Sequence, residues 1–172
     1  YSESLKIALE IGDKNACSKL YSDMAIVYAT QGNVKKAILF YEKGLSMAKT
    51  MGNRMQEELI LYNLADSYYR IEKYRKATKY LKESKKICRE ISDITGITFA
   101  NDLYGDILFT LGKIAEAKEI YLENLTIQQN LKDEEGIAHT YGNLGNVCKA
   151  EKDYDNAEKY YGLQRDSLAK VG

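Results

Sequence analysis

The sequence predicts an all-α protein, a solenoid of antiparallel helix pairs. Three observations lead there. The 172 residues contain no proline, which argues against a turn-rich sandwich or barrel. Residue types recur every forty positions along the chain. Each forty-residue block also holds two apolar stripes at helical spacing, parted by a short polar break.

The period is read from columns. Gly12-Asp13, Gly52-Asn53, Ser92-Asp93 and Lys132-Asp133 lie forty residues apart, and Gly172 falls on the next register. Ala37, Ala77, Ala117 and Ala157 form a second column, and Tyr41, Leu81, Tyr121 and Tyr161 a third. Met24, Leu64, Tyr104 and Leu144 recur likewise, as do the small residues Ala25, Ala65, Gly105 and Gly145. Self-similarity at this spacing means a repeat architecture. We divide residues 1–172 as a single array, with a partial helix over 1–11 and repeats at 12–51, 52–91, 92–131 and 132–171.

The elements follow in order. Leu5, Ala8 and Leu9 match the Leu45 and Ala48 column, so Tyr1 begins inside a second-type helix. Leu20, Met24, Val27 and Tyr28 give a helix over 14–31, and Gln31-Gly32-Asn33 interrupts it. Val34, Ala37, Phe40, Tyr41, Leu45 and Ala48 give the next, over 34–51. The period then predicts pairs at 54–71/74–91, 94–111/114–131 and 134–151/154–171. Asp or Asn at 13, 53, 93 and 133 stands where each first helix begins, ready to accept from an otherwise unpaired backbone N–H. Asn53 with Gln56 has the spacing of a capping box.

Composition narrows the function classes. Hydrophobic residues are 45% and charged residues 29% of the chain, as in a soluble globular protein. Lys+Arg and Asp+Glu are 25 each, so no global charge points to nucleic acid or a membrane surface. The longest apolar run, Met24 to Ala29, is too short to cross a bilayer, so no membrane insertion is expected. Cys17, Cys88 and Cys148 are odd in number and far apart, against a disulfide framework. A reducing, cytoplasmic setting is the expectation. The chain starts at Tyr1 rather than Met, and Gly172 closes the last repeat without an added polar cap. From this we expect a fragment whose parent array continues N-terminally and whose exposed ends self-associate.

The columns resemble tetratricopeptide repeats, whose pattern is W-x2-L-G-x2-Y, then A-x3-F, then P. Here the copies read Tyr21-x2-Met24-Ala25-x2-Tyr28 with Ala37-x3-Tyr41, and Leu61-x2-Leu64-Ala65-x2-Tyr68 with Ala77-x3-Leu81. Next come Asn101-x2-Tyr104-Gly105-x2-Leu108 with Ala117-x3-Tyr121, and Tyr141-x2-Leu144-Gly145-x2-Cys148 with Ala157-x3-Tyr161. Small residues in the 25 and 37 columns would let paired helices approach, while larger ones in the 24 and 41 columns fill the space between repeats. The forty-residue period and the absent closing Pro resemble a longer-helix subgroup. That subgroup includes the Pins/LGN polarity adaptors, bacterial Rap regulators and repeat regions of bacterial sensor kinases. The resemblance implies a right-handed superhelix with the first helix of each pair lining its concave side.

No catalytic constellation stands out, and no enzyme, metal site or cofactor is expected. His139 is the only histidine, there is no CxxC, and no phosphate-binding G-x4-G-K-[ST] occurs. Gly142 and Gly145 fall at close-packing positions inside a predicted helix. Asp102 and Asp106, four apart on one face, have acid/base or metal-pair spacing, but a polar lining of the inner surface is the preferred reading.

The resemblance places a groove on the first helices. It gives Lys19, Ser22, Asp23 and Ile26, then Leu59, Tyr62, Asn63, Asp66, Tyr69 and Arg70. It continues with Phe99, Asp102, Leu103, Asp106 and Phe109, then His139, Asn143, Asn146 and Lys149. Tyr62, Tyr69, Phe99 and Phe109 supply rigid aromatic area suited to anchors. The asparagines can both donate to and accept from a peptide backbone. Carboxylates outnumber cations, so the expected partner is a protein or peptide with apolar anchors and some positive charge. The function so read is a protein–protein interaction scaffold; the alternative is a regulatory sensor module of a larger signalling protein with an output domain such as a histidine kinase. Separately, Arg75, Lys79, Lys82, Lys86 and Arg89 follow 4-3-4-3 spacing along helix 74–91, opposite Ala77, Leu81, Ser84 and Cys88. The family geometry puts this ridge on the convex side. A solvated helix face is the preferred reading, with an anionic partner second. Neither aromatic interleaving nor net positive charge supports nucleic acid.

Overall fold

A computed structural model describes residues 2–171, and the expectations for Tyr1 and Gly172 lie outside it. Among the described residues every regular element is an α-helix. They are α1 (Ser2–Glu10), α2 (Lys14–Thr30), α3 (Val34–Met51), α4 (Arg54–Arg70), α5 (Tyr74–Glu90), α6 (Ile94–Thr110), α7 (Ile114–Leu131), α8 (Glu134–Ala150) and α9 (Tyr154–Val171). The helix bounds expected from the columns agree with these to within a residue among the described residues.

One turn recurs between all nine. A residue with positive φ stands at Gly12, Gly32, Gly52, Glu72, Ser92, Gly112, Lys132 and Lys152, so the backbone repeats every twenty residues rather than every forty. The residue after it donates its N–H five positions back, as in Asp13 to the Ala8 carbonyl (2.9 Å) and Asp93 to the Cys88 carbonyl (2.8 Å). This closes the preceding helix in a Schellman motif. The same residue opens the next helix. Asp13, Asn53, Asp93 and Asp133 accept from Ala16, Gln56, Gly96 and Gly136 through their side chains, as the sequence predicts. Asn33 and Asp153 do the same for α3 and α9, whereas Lys73 and Lys113 leave α5 and α7 without a side-chain cap. The capping box at Asn53 forms only by half. Gln56 sends its amide to the Ser22 hydroxyl (3.1 Å), and the Asn53 N–H is taken by the Ala48 carbonyl.

The chain falls into two compact units, residues 1–96 and 97–172, each described by itself. In the first, α1 packs on α2, α2 on α3, α3 on α4 and α4 on α5, and α2 also touches α4. Its core is Ala25, Ala37, Ala48, Ile60, Leu61, Leu64, Ala65, Ala77 and Cys88, all fully buried. Ala8 and Leu5 of α1 pack against Cys17 and Tyr21. Leu9 does not share their place; it stands 49% exposed, like Lys49 one period later, because its column faces solvent.

In the second unit Leu108, Ala117, Tyr121, Leu144 and Val147 form one core cluster. Here the small-residue column shows its purpose. A Cβ added at Gly105 would lie on the Tyr121 ring, 2.8 Å from Cζ, and one at Gly145 would meet the Tyr161 ring at 2.5 Å. Gly142 is held open in the same way for the Gln164 side chain. All three cysteines are buried and unbridged. No helix among the described residues is long and apolar enough to cross a membrane.

Candidate functional site on the first-helix faces

In the second unit the aspartates of α6 sit over a polar layer supplied by α7 and α8. Asp102 accepts from Asn124 Nδ2 (2.8 Å), Gln128 Nε2 (3.4 Å) and Thr140 Oγ1 (3.5 Å). The same Asn124 amide reaches the Thr98 carbonyl (3.1 Å), and the single Thr140 hydroxyl proton is shared, its shorter contact being to Gln128 Oε1 (2.7 Å). Asn124, Gln128 and Thr140 are buried, and every fully buried side-chain nitrogen and oxygen among the described residues has a partner. Asp106, one helical turn on, accepts from the Tyr121 hydroxyl (2.7 Å) and from Asn143 Nδ2 (3.5 Å).

These donors are neutral, so they satisfy the carboxylate lone pairs without cancelling the charge. Burial pushes Asp102 up to about 6, with Asp106 adding to the rise, while His139, Asn124 and Thr140 pull it back. Burial likewise raises Asp106, against the Tyr121 hydrogen bond and His139. His139 Nδ1 lies 4.0 Å from Asp102 Oδ2, and its side chain is 57% exposed. Asp102, Asp106, His139 and Asn143 are thus brought together in the second unit.

The remaining residues of this face vary. Phe99 is 54% exposed, whereas Phe109 is half-buried against the Leu108–Tyr121 core. Asn146 and Lys149 are exposed, and Asn146 Oδ1 accepts from the Tyr161 hydroxyl at 2.9 Å. Leu103 is a correction. It lies only 6% exposed, because its position turns between helices rather than outward.

In the first unit α2 and α4 present the corresponding face. Lys19 and Ile26 are exposed, and Asp23, Tyr62 and Asn63 are half-buried. Ser22 is again a correction, buried at 3% beneath the Gln56 amide. Met55 and Leu59, 73% and 46% exposed, add apolar surface along α4. Arg70 Nε donates to Asp66 Oδ2 at 2.7 Å, so the carboxylate here already holds its cation. Tyr69 packs against Tyr74, ring centroids 5.9 Å apart. The two faces therefore differ in charge: Asp66 is neutralised, Asp102 and Asp106 are not.

One cluster has no sequence forerunner. Glu58, Cys88 and Asp93, from α4, α5 and the cap of α6, each bring one possible metal-ligand atom within 4.8 Å of the others. Ser84 donates to Glu58 Oε1 at 2.8 Å. Burial pushes the Cys88 thiol up to about 12, and Glu58 and Asp93 push the same way. In this arrangement the thiol stays protonated and donates to Glu58. The cluster reads as a buried hydrogen-bonded joint. No sequence spacing signals it, since its members lie 30 and 5 residues apart on three elements.

The basic residues Arg75, Lys79, Lys82, Lys86 and Arg89 are all exposed on α5, and Ala77, Leu81, Ser84 and Cys88 are buried on its other side.

Comparison with known proteins agrees with this architecture. Family models described as tetratricopeptide repeat match residues 18–51, 59–93 and 97–162, together more than half of the chain. A search of curated proteins finds no match. Among solved structures, BtubC (BKLC) from P. vanneervenii is similar at 24% identity and a TM-score of 0.83, over 92% of this chain and 66% of that one. The apo form of RapI is similar at 16% identity and a TM-score of 0.87, over 96% of this chain and 61% of that one. A signal-transduction ATPase with a tetratricopeptide-repeat sensor, from Pyrococcus horikoshii, is similar at 22% identity and 0.80, over 98% of this chain and 27% of its own. This chain thus spans less than two thirds of the length of each of the first two. At these identities the likeness is one of fold. With its repeat columns, helix pairs and matched segments all in one register, the chain belongs to the tetratricopeptide-repeat family.

Proposed function

We propose that this chain is a non-catalytic protein-interaction module that holds a peptide or helical segment against its first-helix faces. The observation that carries the reading is the Asp102–Asp106 pair. Two carboxylates on one face of α6 are held in place by neutral amides and hydroxyls, with the exposed His139 imidazole as the nearby base. Such an arrangement has its hydrogen-bonding geometry fixed in advance and its charge uncompensated. A lysine or arginine side chain of a partner supplies what is missing. An apolar anchor is available beside it in Phe99, on the same helix. The partner is therefore a protein segment with a basic residue beside an apolar one.

The test is selection of peptides from a displayed library on the immobilised chain. The wild type enriches segments with Lys or Arg beside apolar residues. Asp102→Asn/Asp106→Asn loses the basic preference by at least tenfold while circular dichroism stays helical. Binding of a selected peptide tightens between pH 5 and pH 7, as Asp102 with its pKa of about 6 becomes charged. Tyr62→Ala/Phe99→Ala weakens capture without changing helical content. Peptides with no basic residue selected equally well by both proteins would sink the reading.

A second reading is a regulatory sensor module attached to an output domain. The similarity to the signal-transduction ATPase, whose described repeat region is a sensor, favours it. A catalytic domain encoded in the same gene would support it.

A further inference from the structure

The basic ridge on α5 is independent of the first-helix faces, and the chain's own repeats supply the control for it. If the architecture merely needed a solvated outer face, the same columns would be charged alike in every copy. They are not. The positions of Arg75, Lys79, Lys82, Lys86 and Arg89 hold Lys35, Leu39, Glu42, Ser46 and Lys49 one period earlier. One period later they hold Ala115, Glu119, Leu122, Thr126 and Gln129, and then Asp155, Lys159, Gly162, Asp166 and Ala169. The fold accepts apolar, acidic and small residues there, so five cations in one copy are a property of that helix alone.

The surrounding pairs leave the ridge uncompensated. Helix α5 carries seven basic and two acidic residues. Both acids are engaged by other helices: Glu83 lies 3.9 Å from Lys49 of α3, and Glu90 is held by Arg54 of α4. Among the described residues, only Lys86 of the ridge cations has an ionic neighbour, Glu90 at 3.9 Å. Arg75, Lys79, Lys82 and Arg89 form no ion pair among the described residues. By contrast Arg54, Arg70, Lys113, Lys118 and Lys170 are all paired. The result is a straight line of positive charge about 21 Å long, one cation every three or four residues.

We infer that this ridge is the docking surface for an acidic α-helical segment of a protein partner. A helix whose carboxylates repeat at the same three- and four-residue spacing lies alongside α5 and meets each cation in turn. Nucleic acid fits less well, because the nearby aromatic rings are already occupied: Tyr74 packs on Tyr69 and Tyr80 stacks on Tyr68, leaving no platform for bases. An anionic membrane would want apolar side chains between the cations to insert. The exposed residues of α5 offer none, since its Ile87, Leu81 and Cys88 are buried.

The experiment uses the full chain and a labelled synthetic helical peptide with glutamates at the ridge's 4-3-4-3 spacing, read by fluorescence anisotropy. A scrambled peptide of equal composition, polyuridylate and phosphatidylserine vesicles run in parallel. The expected result is binding that is at least tenfold tighter for the ordered peptide than for the scrambled one. It also weakens at least tenfold between ~0.05 and ~0.3 M salt, as a surface charge interaction must. Lys79→Glu/Lys82→Glu/Lys86→Glu abolishes it, and Lys79→Gln/Lys82→Gln, which keeps the helix face polar, weakens it severalfold. Absence of binding at low salt, equal affinity for the scrambled peptide, or tighter binding of polyuridylate or vesicles would each overturn the inference.

Discussion

Tyr121 lies flat across the place where Gly105 has no side chain, and from there its hydroxyl reaches Asp106 at 2.7 Å. Ring and carboxylate are fixed by the same missing methyl group. The small-residue column of the repeat is thus tied to the charge of the candidate site.

Replacing Gly105 with Ala should therefore destabilise the protein, although Ala favours helix. The ring is buried and cannot retreat, so overpacking costs about 1–3 kcal/mol and outweighs a helix-propensity gain of about 1 kcal/mol. Gly162 is the matched control. A Cβ there meets nothing within 4 Å, so Gly162→Ala should stabilise by about 0.5–1 kcal/mol. Urea denaturation of both variants distinguishes the two signs.

Asp102 makes stability depend on pH in an unusual direction. Its folded carboxyl keeps a proton up to about pH 6, whereas an unfolded one releases it near 3.9. Between these values the native state binds more protons, so this group's contribution falls as pH rises. Asp102→Asn removes the dependence. Relative to wild type, the variant should gain roughly 2–3 kcal/mol between pH 4 and pH 7, whatever its absolute stability. Chemical denaturation across that range reads the slope, and parallel slopes would refute the assignment.

The uncapped start of α5 offers a gain. Lys73 occupies the column that Asn33 and Asp153 fill with capping side chains. Lys73→Asn should raise stability by about 1 kcal/mol, measurable as a higher melting temperature.

Much of this was legible in the sequence because repeats report each other. The forty-residue columns located all nine described helices, and the Asp/Asn column located four caps. What the columns could not report is depth. Asp102 and Asp106 are readable as one face of one helix. Their burial, however, depends on Asn124 and Gln128, 22 and 26 residues away, and on Thr140, 38 residues away. None of those positions repeats its residue type through the chain. The joint of Glu58, Cys88 and Asp93 was illegible on similar grounds, since in the next copy Thr98 and Gln128 stand for Glu58 and Cys88, and Asp93 reads as a helix cap like Asp133. Leu103 misled because apolar residues at three- and four-residue spacing fit either side of a helix buried on most of its circumference. The half-formed capping box at Asn53 failed to a distant competitor, the Ser22 hydroxyl.

Four of the eight left-handed turn positions carry a side chain: Glu72, Ser92, Lys132 and Lys152. Glycine relieves the clash that a Cβ meets there. Ser92→Gly and Lys152→Gly should each stabilise by about 1 kcal/mol, with the melting temperature as readout.

That turn recurs every twenty residues, although residue types recur every forty. The backbone joint is therefore indifferent to which kind of helix follows it, and only the side chains distinguish them. Growth of such a chain is quantised. An insertion of two helices after a left-handed residue keeps every later helix in its first-helix or second-helix column, while an insertion of one exchanges the two columns for everything downstream. Lineages that lengthen or shorten this array should do so by even numbers of helices.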